Sequence, residues 1–133
     1  MIVLDENIPD DQRLLLRAWG LRARQVGFDV GAPGLSDESV IPLLRRLARA
    51  TFFTRDLGFY DPALCDSRYS LACLHVGAGD VATFVRRFLR HPAFASHAMR
   101  SGLVVRVSHT GIRVWRAHRP RLYDCRGGRR RAV

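Results

Sequence analysis

Lysine is absent from this chain of 133 residues, and all 22 basic side chains are arginine. Codon bias in a GC-rich genome accounts for that choice, but not for where the arginines fall. Cysteine is scarce: Cys65, Cys73 and Cys125 make an odd number with no C-x-x-C spacing and no adjacent histidine pair, which excludes a zinc site and reads as reduced thiols. The histidines, His75, His91, His97, His109 and His118, lie scattered in the second half without metal-ligand spacing. No P-loop occurs and no G-x-G-x-x-G follows a strand-like run, so the common nucleotide-binding loops are excluded. No apolar run approaches the roughly 18 residues of a membrane span, and the first residues are acidic where a secretory signal is basic. The expectation is a soluble, cytoplasmic protein with no membrane association.

What is present is enough apolar sequence, 47%, for one domain with a real core. That domain is expected to span residues 1–123. A basic, disordered tail, 124–133, would follow it, with Arg126-Gly127-Gly128-Arg129-Arg130-Arg131 apt for loose RNA contact or simply a dispensable terminus. The charge is unevenly divided: residues 1–66 carry 8 arginines against 10 acids, and residues 67–133 carry 14 against 2. A field of that sign attracts phosphate polymers; a solvated basic surface or a footprint on an anionic membrane is the competing reading.

The apolar pattern alternates strands with helices. Ile2-Val3-Leu4 is a short continuous run, as in strands covered on both faces. Pro9-Asp10-Asp11-Gln12 opens a helix in which Leu14, Leu15, Ala18 and Trp19 share a face, and Gly20 stops it. A strand over Ala23–Val26, a Gly-Pro-Gly loop, and a helix from Ser36-Asp37-Glu38 with a stripe of Val40, Ile41, Leu43, Leu44 and Leu47 come next. Further strands are expected at Ala50–Thr54, Leu71–Val76 and Leu103–Val107, with helices over Gly79–Arg90 and Pro92–Arg100 between the last two. A turn at His109-Thr110-Gly111 joins the final strand to Ile112–Trp115 as a hairpin. The pattern predicts an α/β domain with a mainly parallel sheet.

In such a sheet ligands collect at the carboxyl ends of the strands. Asp5 and Asp56 each stand just past the end of an expected strand, and Asp37-Glu38 opens a helix whose N-terminus points to the same edge. Clustered carboxylates raise one another's pKa unless positive charge sits among them, and Mg²⁺ or Mn²⁺ is the natural partner because both prefer carboxylate and water oxygens. Asp10 and Asp11 serve the dipole of the first helix, and Asp37 and Glu38 have the same alternative in theirs. Asp5 has none, since a strand end gains nothing from a dipole and loses hydration as the sheet is covered.

Three stretches, Leu4-Asp5-Glu6-Asn7-Ile8-Pro9, Ser36-Asp37-Glu38 followed by Val40-Ile41, and Thr54-Arg55-Asp56 followed by Phe59, resemble the PIN-like domain proteins. The similarity is to the small bacterial branch that begins D-E-N-(L/I)-P and continues with S-D-E-E-(I/L) and T-R-D-x-D-F. It covers residues 1–76 in order and spacing; beyond them only the general α/β pattern matches. The resemblance implies a three-layer α/β/α fold and an acidic pocket with one or two Mg²⁺ or Mn²⁺ ions. It also implies metal-dependent cleavage of RNA, often as the toxin of a toxin–antitoxin pair, with a cognate antitoxin protein and a homodimer as partners. Carried over, Asp5, Asp37 and Asp56 would be metal ligands and, with Glu38, the catalytic acids. Glu6, Asn7 and Thr54 would support them, Asn7 orienting the first turn and Thr54 the loop after the third strand. Gly58 stands where the family often has a second acid, and Asp61 is the candidate replacement.

Arg55 beside this site, and Arg86, Arg87 and Arg90 on one helix face by their spacing, are the candidate nucleic-acid contacts. Phe59 and Tyr60 either stack on an unpaired base or, as is commoner in such a loop, pack. Receiver domains also place acids after the first and third strands, but they meet the phosphoryl group with a lysine, which this chain lacks. The remaining rival is a catalytically impaired PIN-like module that binds RNA or a partner protein.

Overall fold

A computed structural model of the chain describes residues 1–116, 119–123 and 129–130. Its elements follow the expected alternation: β1 (Ile2–Leu4), α1 (Asp10–Ala18), β2 (Ala23–Gln25), α2 (Asp37–Arg46), β3 (Ala50–Thr54), β4 (Tyr69–His75), α3 (Val81–Arg90), α4 (His97–Arg100), β5 (Leu103–Ser108), β6 (Gly111–Arg116), β7 (Arg119–Tyr123) and β8 (Arg129–Arg130). Short 3-10 turns lie at Leu57–Phe59, Pro62–Leu64 and Ala78–Asp80.

All eight strands belong to one sheet in the order β2-β1-β3-β4-β5-β6-β7-β8. The first five are parallel and the last three antiparallel. Helices cover both faces. Leu4 and Phe53 pack with Leu16 of α1 and with Val81, Phe84, Val85 and Phe88 of α3 on one side. Val3, Phe52 and Leu71 pack with Val40, Ile41, Leu43 and Leu44 of α2 on the other. This is the α/β/α layering expected of strands that are apolar on both faces.

The hairpin expected at residues 109–111 is present, with Ser108 opposite Gly111. Three local readings change. In α1 the residues that turn inward are Gln12 and Leu16, with Trp19 half-buried, while Leu14 and Leu15 are exposed. The cause is Gln12, whose Oε1 accepts the Ala82 N–H at 2.9 Å and so turns α1 onto the start of α3. The helix expected over Pro92–Arg100 is helical only from His97, where Ser96 Oγ accepts the Met99 N–H at 3.2 Å. The sheet also runs past residue 123, because Arg129 and Arg130 of the expected tail pair with Tyr123 and Leu122. The rest of the expected disordered tail, with Cys125, lies outside the described residues. Among those described, no helix is long and apolar enough to cross a membrane.

Candidate active site at the carboxyl edge of β1 and β3

β1 and β3 are neighbours, yet the chain leaves them in opposite directions, β1 towards β2 and β3 towards β4. In doubly wound sheets that divergence opens a crevice at the carboxyl ends of the two strands. Asp5 and Asp56 stand at this switch point. Asp5 still follows the sheet, its N–H donating to Phe53 O at 2.9 Å. Its carboxylate is tied to β3 as well: the fully buried Thr54 donates from Oγ1 to Asp5 Oδ2 at 2.6 Å. The same Oγ1 accepts the Asp56 N–H at 3.0 Å. One hydroxyl thus fixes the two acids relative to each other.

Asp56 begins the 3-10 turn at Leu57–Phe59, and its Oδ1 accepts the Gly58 N–H at 2.8 Å. A Cβ at residue 58 would lie 3.0 Å from that oxygen. The position where the sequence resemblance leads one to expect an acid is here the close neighbour of the Asp56 carboxylate, and a side chain there would press on it.

Asp37, exposed on the rim at the start of α2, completes the group. Its carboxyl is raised above the ordinary value, first by lost hydration, then by the charge of Asp56 and a hydrogen bond shared with it, and then by the charges of Asp5 and Glu38. Four carboxyl groups from three separate segments therefore share one rim. Among the described residues no arginine or histidine forms an ion pair with any of them.

Several expected residues have other employment. Glu6 turns away from the acids, and its Oε1 and Oε2 take the Gly34 N–H at 3.1 and 2.9 Å. It lies over Gly27, whose φ of +84° and whose virtual Cβ, 2.8 Å from Glu6 Cδ, both call for glycine. Glu6 is thus a brace for the loop before α2. Asn7 is exposed on the turn, and no hydrogen bond of its side chain occurs among the described residues. Asp61 caps the turn at Pro62–Leu64 through the Ala63 N–H at 2.9 Å and is not among the groups that raise Asp37. Phe59 is packing, edge-on to Phe52 with centroids 5.4 Å apart. Arg55 stays at the rim, its Nε donating to Val76 O at 3.0 Å.

The arginines of α3 stand elsewhere. The helix starts at the carboxyl edge, after β4, and runs back towards the start of β5. Arg86, Arg87 and Arg90 therefore lie about 8–14 Å along its axis from the helix start at Val81, at a rise of ~1.5 Å per residue. Arg86 is stacked 3.7 Å from the Trp19 ring, and the Arg87 guanidinium is 5.1 Å from the Phe84 ring.

A residue with no candidate role in the sequence holds the first turn in place. Gln25, at the end of β2, is fully buried, and its Nε2 lies 3.1, 3.2 and 2.9 Å from the carbonyl oxygens of Asp5, Glu6 and Ile8. Its only sequence signal is an amide on the inward face of a predicted strand.

Tested against a hard divalent cation, the donor set fits in chemistry: every candidate ligand is a carboxylate oxygen, and the rim carries negative charge with no cation paired to it among the described residues. As placed, however, no group of three or more Asp, Glu, His or Cys side chains among the described residues is arranged to hold an ion. The carboxylates of Asp5 and Asp56 accept from Thr54 and Gly58. No protein-family model, no curated protein and no solved structure matches this chain.

Proposed function

We propose that the chain is a metal-dependent endoribonuclease of PIN-like type, with Asp5, Asp37 and Asp56 as the residues that would hold Mg²⁺ or Mn²⁺. The observation that carries this reading is the link from Asp5 through Thr54 to Asp56 at the β1/β3 switch point, with Asp37 near enough for the charge of Asp56 to raise its carboxyl. When bound, such an ion supplies charge for a phosphate oxygen and acidity for a water. The chain's own part is positioning and proton transfer. Thr54 and Gln25 fix Asp5; Thr54 and the Gly58 amide fix Asp56. Glu38, in the first turn of α2 beside Asp37, is the carboxylate left to accept a proton from an attacking water. Arg55 at the rim meets a phosphate of the same strand. The resemblance alone extends the proposal to a toxin held by a cognate antitoxin protein, and to a homodimer.

The test is cleavage of single-stranded RNA by wild type, Asp5→Ala and Asp56→Ala with Mn²⁺, with Mg²⁺ and with chelator. The reading predicts divalent-dependent cutting that both variants lose, and it fails if wild type cuts with neither metal or if both variants cut as well as wild type. A second reading, a module that binds RNA without cutting it, is favoured by Gly58 in the acidic position and by the lack of a ready three-ligand group. Wild type that binds RNA and never cleaves it would establish that reading.

A further inference from the structure

The strand registers draw a single row across the sheet: Thr54 is opposite Cys73, Cys73 opposite Arg106, Arg106 opposite Arg113, and Arg113 opposite Leu122. Directly opposed residues share a face, so the row runs on the α2 side from the hydroxyl that holds Asp5 and Asp56 to two arginines. The other side of β5 and β6, with Val105, Val107, Ile112 and Val114, is closed by the core beneath α1 and α3. On the α2 side Arg106 is half-buried and Arg113 exposed.

Two arginines directly opposed repel each other, and among the described residues neither forms an ion pair. Arg106 Nη2 instead lies 2.7 Å from His75 Nδ1, and Arg106 Nε is buried with no partner. Beside them is a cavity of about 150 Å³ lined by Arg106, Ser108, Thr110, Gly111, Arg113 and Leu122. Opposed cations, an unused buried N–H and an open concavity together describe a place for an anion. Tyr60 lies near Trp115 of the adjacent row, with ring centroids 6.4 Å apart.

We propose that this face of β5 and β6 is the track that holds the phosphates of a single-stranded RNA, with Arg106 and Arg113 as its contacts and the acid rim at its end. From Thr54 on β3 to Arg106 on β5 is two strand spacings, roughly 10 Å. A chain gripped at the pair therefore passes the acids within a few nucleotides. The identity of the ligand rests on the nuclease reading; the anion site does not.

The test is fluorescence anisotropy with a labelled single-stranded RNA in chelator, where no metal-dependent cleavage occurs, over a range of NaCl. Arg106→Gln and Arg113→Gln should each weaken binding about five- to tenfold and lower the salt slope by about 0.7, while Arg113→Lys keeps most of both. Arg87→Gln and Arg90→Gln, on α3, should bind as wild type. Arg113 is exposed, so its variant carries the test even if Arg106→Gln loses its fold. Unchanged binding by Arg113→Gln, or equal weakening by all the glutamine variants as diffuse attraction would give, overturns the track. A protein that binds through this pair yet cuts nothing sinks the nuclease reading alone.

Discussion

Thr54 Oγ1 donates to Asp5 Oδ2 at 2.6 Å, across the boundary between two strands whose connections diverge. Because the same oxygen accepts the Asp56 N–H, the hydroxyl does two jobs that no apolar side chain can do. Thr54→Val keeps the shape and leaves a carboxylate oxygen and an amide without their partner, which should cost about 1–3 kcal/mol in urea unfolding. Cleavage should fall with it. Thr54→Ser restores the hydroxyl and should recover most of both.

Gln25→Leu removes the carboxamide that gathers the carbonyls of Asp5, Glu6 and Ile8. The expected loss is about 1–3 kcal/mol, because the buried carbonyl of Ile8 and the part-buried carbonyls of Asp5 and Glu6 lose their donor. Hydrogen exchange should show the turn at residues 5–8 opening more often while the β4–β5 ladder keeps its protection.

Asp37 gives a pH-dependent signature. Its raised pKa means that the folded state holds the proton more tightly than the unfolded chain. Well below the usual 3.8 the proton is present in both states and there is no penalty. As pH rises through the raised value the carboxylate forms against Asp56, Asp5 and Glu38, and stability is lost. Asp37→Asn should therefore melt higher than wild type at neutral pH in chelator, by well under about 1 kcal/mol because the group is exposed and screened. The two should converge in acid. Mn²⁺ should raise the wild-type melting temperature more than that of the variant.

Glu6→Ala removes the carboxylate that holds Gly34 and should free the loop before α2. Limited proteolysis should then cut between residues 27 and 36 faster than in wild type. The expected cost is about 0.5–1.5 kcal/mol, as for one exposed hydrogen-bonded contact.

Much of this arrangement is readable in the sequence because it is local. Ala50-Thr51-Phe52-Phe53-Thr54 is apolar on both faces and can only be a covered strand, and the acid that follows then falls at its carboxyl end. The tight turn at His109 and Thr110 likewise fixes the hairpin, and with it the opposition of Arg106 and Arg113. What is not readable depends on contacts between distant segments. Glu6 and Gln25 bond to backbone atoms 28 and 17–20 residues away, and a backbone acceptor leaves no mark in side-chain pattern. The spacing of Arg86, Arg87 and Arg90 places them on one helix, but only the direction of α3 shows that they follow its start at the carboxyl edge by five to nine residues. Leu14 and Leu15 are the more apolar face of α1, yet Gln12 turns inward because it can bond the Ala82 amide.

In the proposed site Asp5 and Asp56, joined by Thr54, hold a divalent ion with Asp37. Calorimetric titration of Mn²⁺ into wild type, Asp5→Asn and Asp56→Asn tests it most directly. Wild type should bind Mn²⁺ saturably, and each variant at least about tenfold more weakly, on the scale of losing one charged ligand. Wild type that takes up no Mn²⁺, or variants that bind it as tightly as wild type, would contradict it.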